Sequence, residues 1–153
     1  MKIAIAADHG AYDLKEELKK YLSGKGEEVI DYGTDSTASV HYPVYAGKVC
    51  RSVQSGEAEK GILLCSTGIG MSIAANKYRG IRAALCHETY SAKYTRLHND
   101  ANVLCIGALV TGKGLAKEIT DVFLETEFEG GRHKVRVDMI TEAENEEMKR
   151  SND

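Results

Sequence analysis

Short apolar runs alternate with longer amphipathic stretches along the whole chain. "KIAIAA" (2–7), "EEVIDY" (27–32), "GILLC" (61–65), "IRAALC" (81–86) and "NVLCIG" (102–107) are rich in Ile, Val, Leu and Ala. Their length suits strands better than helices, and they predict five strands buried on both faces. Between them the apolar positions recur every three to four residues. Leu14, Leu18 and Tyr21 mark one face of 11–23, and 44–53, 73–78, 89–97 and 115–124 carry the same period. A last stretch, 135–150, opens with Val135, Met139 and Ile140 and turns to charge, which predicts a helix with a solvated end. Strict alternation of strand and helix predicts an α/β fold: a doubly wound, Rossmann-like parallel sheet of five strands with helices on both faces. No repeat or linker interrupts the pattern, so residues 1–153 predict one domain, with the lone proline, Pro43, in a loop before a helix.

Parallel strands deliver their C-termini to one edge of the sheet, where open α/β sheets bind ligands. Asp8-His9-Gly10, Cys65-Ser66-Thr67-Gly68, Cys86-His87 and Gly107 all fall there. A pocket is expected on that edge. Composition narrows what it holds. Twenty Lys plus Arg against 23 Asp plus Glu give a net charge of −3, so neither nucleic acid nor an anionic membrane is an expected partner. The N-terminus reaches Asp8 too soon for a signal peptide and no run is long enough to span a bilayer, which predicts a cytoplasmic protein. Cys50, Cys65, Cys86 and Cys105 are widely spaced and are expected as free thiols.

The segment "GILLCSTGIGMSIAANK" (61–77) concentrates the chemistry. An apolar strand ends in Cys65, followed by two hydroxyls, Ser66 and Thr67, and the spaced glycines Gly68 and Gly70. Backbone N–H groups at such a turn favour an anion, and the same field favours a thiolate. The turn lacks the Gly-Lys-Ser/Thr of a P-loop, the third glycine of a dinucleotide fingerprint, where Ile73 stands, and the arginine of a cysteine-dependent phosphatase, where Met71 stands. Two readings survive: an oxyanion cradle of Ser66, Gly68, Ile69 and Gly70 beside a reactive Cys65, or a structural turn with a buried cysteine. The other three cysteines lack the glycine turn and read as core.

Five histidines, His9, His41, His87, His98 and His133, show no short metal-type spacing, so no metal or other cofactor is expected. Asp8 and His9 at a strand end read as site groups or as a helix cap. His98 reads as a site group or a polar helix terminus. Arg132 and Arg136, four apart, share a face if their segment is helical and then suit phosphate oxygens; a solvated basic turn is the alternative.

Five separated blocks, "ADHG", "HYP", "LLCSTGIGMSIAANK", "SAKYTRLHNDANVL" and "EGGRHKVRV", together resemble the ribose-5-phosphate isomerase B family, in order and over nearly the whole chain. The resemblance implies metal-free aldose-ketose isomerisation of a sugar phosphate by a homodimer or tetramer whose sites are shared between subunits. It implies Cys65 as the base that moves a proton between the first two carbons. Some members place a glutamate at the position of Met71, so this chain resembles the cysteine type. It implies His98 in ring opening with Asp8 assisting, Asn99 at the enediolate, Tyr42 lining the pocket, and His9, Arg132 and Arg136 on the phosphate. Chemistry adds Thr67 as a proton relay and the turn amides as the oxyanion donors. Two positions depart from the family pattern: Leu109 stands where an arginine is frequent, and Ser66 where glycine is common.

The expected activity is interconversion of D-ribose 5-phosphate and D-ribulose 5-phosphate through an enediolate. The rivals are the same chemistry on allose or galactose 6-phosphate, a non-catalytic sugar-phosphate-binding module, and a thiol redox protein, which lacks a nearby resolving cysteine.

Overall fold

The structure, a computed structural model, describes residues 1–152. Its strands are β1 (Lys2–Ala7), β2 (Glu28–Asp31), β3 (Lys60–Cys65), β4 (Ala83–Leu85) and β5 (Val103–Gly107). Its helices are α1 (Tyr12–Gly24), α2 (Tyr42–Gln54), α3 (Ile69–Ala75), α4 (Thr89–Asn99), α5 (Lys113–Glu125) and α6 (Arg132–Arg150), with a single 3-10 turn at His9–Ala11. All strand pairs are parallel, in the order β2-β1-β3-β5-β4. The expected doubly wound α/β sheet is what forms.

Side chains alternate across the sheet, which divides the core in two. Ile3, Ile5, Ala7, Ile62, Leu64, Leu104 and Ile106 face α1, α4 and α5, where Leu18, Ile119 and Phe123 are fully buried. Ala4, Ala6, Leu63, Val103 and Cys105 face α2 and α3, against Val49, Met71 and Ala75. Each large side chain so buried contributes about 1.5–3 kcal/mol. Burial on both faces holds for β1, β3 and β5 but not for β2 and β4, which are only half-buried. These two are the edges of the sheet, and an edge strand has a neighbour on one side only.

Three local expectations are corrected. Pro43 lies inside the first turn of α2, not in a loop, because an N–H at that position has no helical partner to lose. Helix α3 begins at Ile69, four residues before its apolar period becomes visible, since Gly70 carries no side chain to mark a face. The last helix begins at Arg132 rather than 135, so Arg132 and Arg136 do lie on one helix. Among the described residues, no helix is long and apolar enough to cross a membrane.

Candidate active site

Strands β1 and β3 are neighbours whose chains leave toward opposite sides of the sheet. Their C-terminal ends flank the switch point where such sheets bind ligands. Ala7 pairs with Leu64 in register, and the Asp8 N–H donates to Leu64 O at 3.1 Å, so Asp8 and Cys65 emerge side by side.

The turn after Cys65 is tightly determined. Gly68, at φ +74°, caps α3 in the left-handed region that favours glycine. Its N–H donates to Cys65 Sγ at 3.1 Å, and the Ile69 N–H donates to Thr67 Oγ1 at 3.2 Å. The remaining first-turn amides, of Gly70 and Met71, complete a group of N–H donors at one helix start. Cys65 is 5% exposed and packs with the α2 and α3 core, while Thr67 and Ile69 are exposed and Ser66 is half-buried. The turn can sit this low only because Gly107, the register partner of Cys65, has no side chain: a methyl there would lie 2.5 Å from the Thr67 carbonyl. Gly107→Ala is therefore expected to cost roughly 1–3 kcal/mol by overpacking, read as a lower midpoint in urea at unchanged slope.

Around this turn the structure gathers three of the other expected residues, Asp8, His9 and Tyr42. Asp8 Oδ1 accepts the Gly10 N–H at 3.0 Å and caps the 3-10 turn, so the capping role and the site position coincide. A methyl at Gly10 would collide with Ser66 Oγ and approach Asp8 Oδ1 to 3.4 Å, which places those two oxygens together. The Tyr42 ring covers Gly70, where a methyl would sit 2.8 Å from it. His9 is exposed, and its Nδ1 accepts the Val40 N–H at 3.2 Å, tying the turn after β1 to the loop that leads into Tyr42 and α2. That loop contact was not legible in the sequence. Leu109 is 80% exposed beside the turn and donates its N–H to Ser66 O at 3.0 Å, whereas Met71 is fully buried.

The remaining residues lie elsewhere in the chain. His98 and Asn99 end α4, which returns to the opposite edge of the sheet. There Arg82 Nε donates to Asn99 O at 3.1 Å, and Arg82 O accepts the Asn102 N–H at 3.0 Å, just before β5 begins. Arg96, buried, donates to Asp100 Oδ1 and Ala101 O and pins this corner. From Val103 to Gly107, the partner of Cys65, is the length of β5, about 13 Å at 3.3 Å per residue. Within one chain, then, His98 and Asn99 are at the far end from Cys65. Arg132 and Arg136 are with them, exposed on α6, which packs against α4.

Two residues join this second group that the sequence reading did not assign. The His133 ring stacks on His98 at 4.0 Å between centroids and 11° between planes. Glu129 Oε2 lies 3.9 Å from His98 Nε2 and 3.8 Å from His133 Nε2. His133 is 5% exposed, and burial, then the neighbouring His98, lowers its pKa from the ordinary histidine value; Arg132 and Arg136 act in the same direction and Glu129 opposes them. One signal for His133 was available: it stands four before Val137, and the two are the buried positions of α6.

A groove of about 1040 Å³ runs along β4 between α4 and α6, lined by Leu85, Tyr90, Tyr94, Ile140 and Met148 among others, and reaching His98 and Asn99. It contains none of the Cys65 turn. This groove reaches the C-terminal edge of the sheet only beside β4, at Cys86, and not at the β1–β3 switch point.

The thiol groups separate by environment. Burial pushes Cys50 and Cys86 up to about 12, and Cys105 well above its ordinary value, which leaves them inert core residues as expected. All four cysteines are free.

Comparison with known proteins gives the family. Residues 3–140 match the family model described as ribose/galactose isomerase. The chain is 51% identical over 143 residues to ribose-5-phosphate isomerase B of Escherichia coli, covering 94% of this chain and 96% of that one. It is 47% identical to the D-erythrulose-4-phosphate isomerase of Pectobacterium atrosepticum, covering 96% and 97%. The solved ribose-5-phosphate isomerase B of Clostridium thermocellum superposes with a TM-score of 0.94 at 51% identity, covering 95% of this chain and 99% of that one. The chain belongs to the ribose/galactose isomerase family, and within it to the ribose-5-phosphate isomerase B proteins that its five sequence blocks resemble.

Proposed function

We propose that the protein interconverts D-ribose 5-phosphate and D-ribulose 5-phosphate without a metal, in active sites each assembled from two copies of the chain. One observation carries the composite site: the base and its N–H cradle stand at one sheet edge, and the ring-opening histidine and paired guanidiniums at the other. A homodimer that brings the two edges of different subunits together completes two sites at once.

His98 moves the proton of the anomeric hydroxyl to the ring oxygen, assisted by Asp8, and releases the open aldehyde. The Cys65 thiolate takes the C2 proton, and the electron pair of that bond forms C1=C2 with negative charge on O1. Amides of the Ser66 to Gly70 turn and Asn99 stabilise this enediolate, the step on which such barriers depend most. Thr67 relays the O2 proton to O1, and the Cys65 thiol returns its proton to C1, leaving the ketone at C2. Tyr42 closes the pocket over Gly70, and His9, Arg132 and Arg136 hold the phosphate, so that binding at the remote end orients the reacting carbons.

The test is isomerisation of ribose 5-phosphate, allose 6-phosphate and erythrulose 4-phosphate, each in chelator, by wild type and Leu109→Arg. Ribose 5-phosphate is expected to turn over fastest. The added guanidinium at exposed position 109 is expected to lower its KM about tenfold, the worth of one charged hydrogen bond. A faster six-carbon substrate would replace the five-carbon assignment with the hexose one. No turnover of any sugar would leave a binding module.

A further inference from the structure

His98, Glu129 and His133 are brought together by the fold from three separate places: the last turn of α4, the loop before α6 and the first turn of α6. One ligand-type atom from each lies within 4.8 Å of the other two. Glu129 is held there by its backbone, whose N–H donates to Leu97 O at 3.1 Å. His133 Nε2 is buried and has no hydrogen-bond partner, an arrangement that is costly when left unmet and calls for an occupant.

We propose that these three residues form a binding site for a divalent transition metal of the zinc class, and that its occupancy removes His98 from acid–base service. The inference rests on the role given to His98 above only for its consequence, not for the binding. Two imidazoles and a carboxylate are a three-ligand set that leaves one position for water. At zinc–nitrogen distances of 2.0–2.1 Å, ligand atoms around a tetrahedral ion lie about 3.4 Å apart. The present 3.8 and 3.9 Å from Glu129 need a contraction of about half an ångström, and the imidazole nitrogens, within 4.8 Å of each other, close on one ion as the stacked rings splay so that their lone pairs converge.

The charges around the site act both ways. Glu129 favours a cation, and Arg132 and Arg136 oppose one. Burial and the neighbouring cations lower the pKa of His133, the direction that favours the neutral imidazole a metal needs. The metal acts here as an inhibitor and takes no part in the isomerisation. Its ligation of His98 ties up the lone pair that ring opening needs.

The experiment is titration of the metal-free full-length protein with Co²⁺, read by its visible absorption, and with Zn²⁺, read by calorimetry. Wild type is compared with Glu129→Gln and with His133→Phe, which keeps a ring against His98 without its nitrogen. One ion per chain is expected for wild type, with a cobalt band of tetrahedral intensity. At least about 10- to 100-fold weaker binding is expected for both variants, since even outer-shell changes cost that much. Saturating Zn²⁺ is expected to slow the wild-type isomerase about 100-fold and to spare Glu129→Gln at the same concentration. Absence of stoichiometric binding in wild type, or undiminished binding in Glu129→Gln, would overturn the site. Because the titration needs no substrate, it stands or falls separately from the isomerase assignment: binding without any isomerase activity keeps the site and removes only its regulatory meaning.

Discussion

Cys65→Ser is expected to lower kcat for ribose 5-phosphate by about 10²–10⁴-fold, the usual weight of one general acid or base, while KM changes little. The substitution is chosen to leave the fold intact. Cys65 is buried and its sulfur accepts the Gly68 N–H, and a serine oxygen accepts the same donor from nearly the same place. What changes is proton affinity: a hydroxyl is not a base near neutral pH, and α3 offers no carboxylate in its place, because its third residue is Met71, fully buried. Steady-state kinetics with an unchanged urea midpoint would assign the loss to chemistry. A kcat within a few-fold of wild type would remove Cys65 as the base. The substitutions that empty the other thiol positions, Cys50, Cys86 and Cys105, are expected to alter stability alone, since burial keeps those groups protonated.

Mixing two inactive variants is expected to restore activity. Cys65→Ser spoils one edge of the sheet and His98→Asn the other, and the length of β5 separates them within a chain. In a composite site, Cys65 of one subunit works with His98 of the partner. Equal amounts of the two variants, dissociated and allowed to reassociate, give heterodimers in half the population. Each heterodimer holds one site with both lesions and one with neither. About a quarter of the sites are then intact, as random pairing in an isologous dimer requires. Activity rising from the floor of either variant to about a quarter of wild type is the expected reading. No rise, in a sample shown by mass to contain heterodimers, would mean that both residues act in one chain or that one of them does not act.

Much of this site was legible in the sequence because its first half is local. Asp8, His9 and the segment 65–70 each stand directly after a recognisable strand, and parallel strands deliver the residues beyond their C-termini to one edge. The departure at Leu109, two residues past Gly107, was visible only through the resemblance, and the structure adds that it is exposed. The second half was visible only through resemblance. Nothing local in "RLHND" or "GGRHKVRV" says that α4 ends at the opposite edge, nor that His133 stacks on His98 from 35 residues away.

Apolar spacing by itself determined the alternation of five strands and their helices, because the period of burial is a property of each element taken alone. It also determined that the glycine turn after Cys65 stands at a strand end. The tertiary structure alone decided that β5 lies inside β4, that β2 and β4 are half-exposed edges, and that Pro43 is helical. It alone decided that the expected site residues divide between two ends of the sheet and that His98, Glu129 and His133 meet. The reason is physical. Local pattern reports which way a residue faces from its own element, whereas strand order, helix return and the contact of distant side chains depend on how several elements share one core.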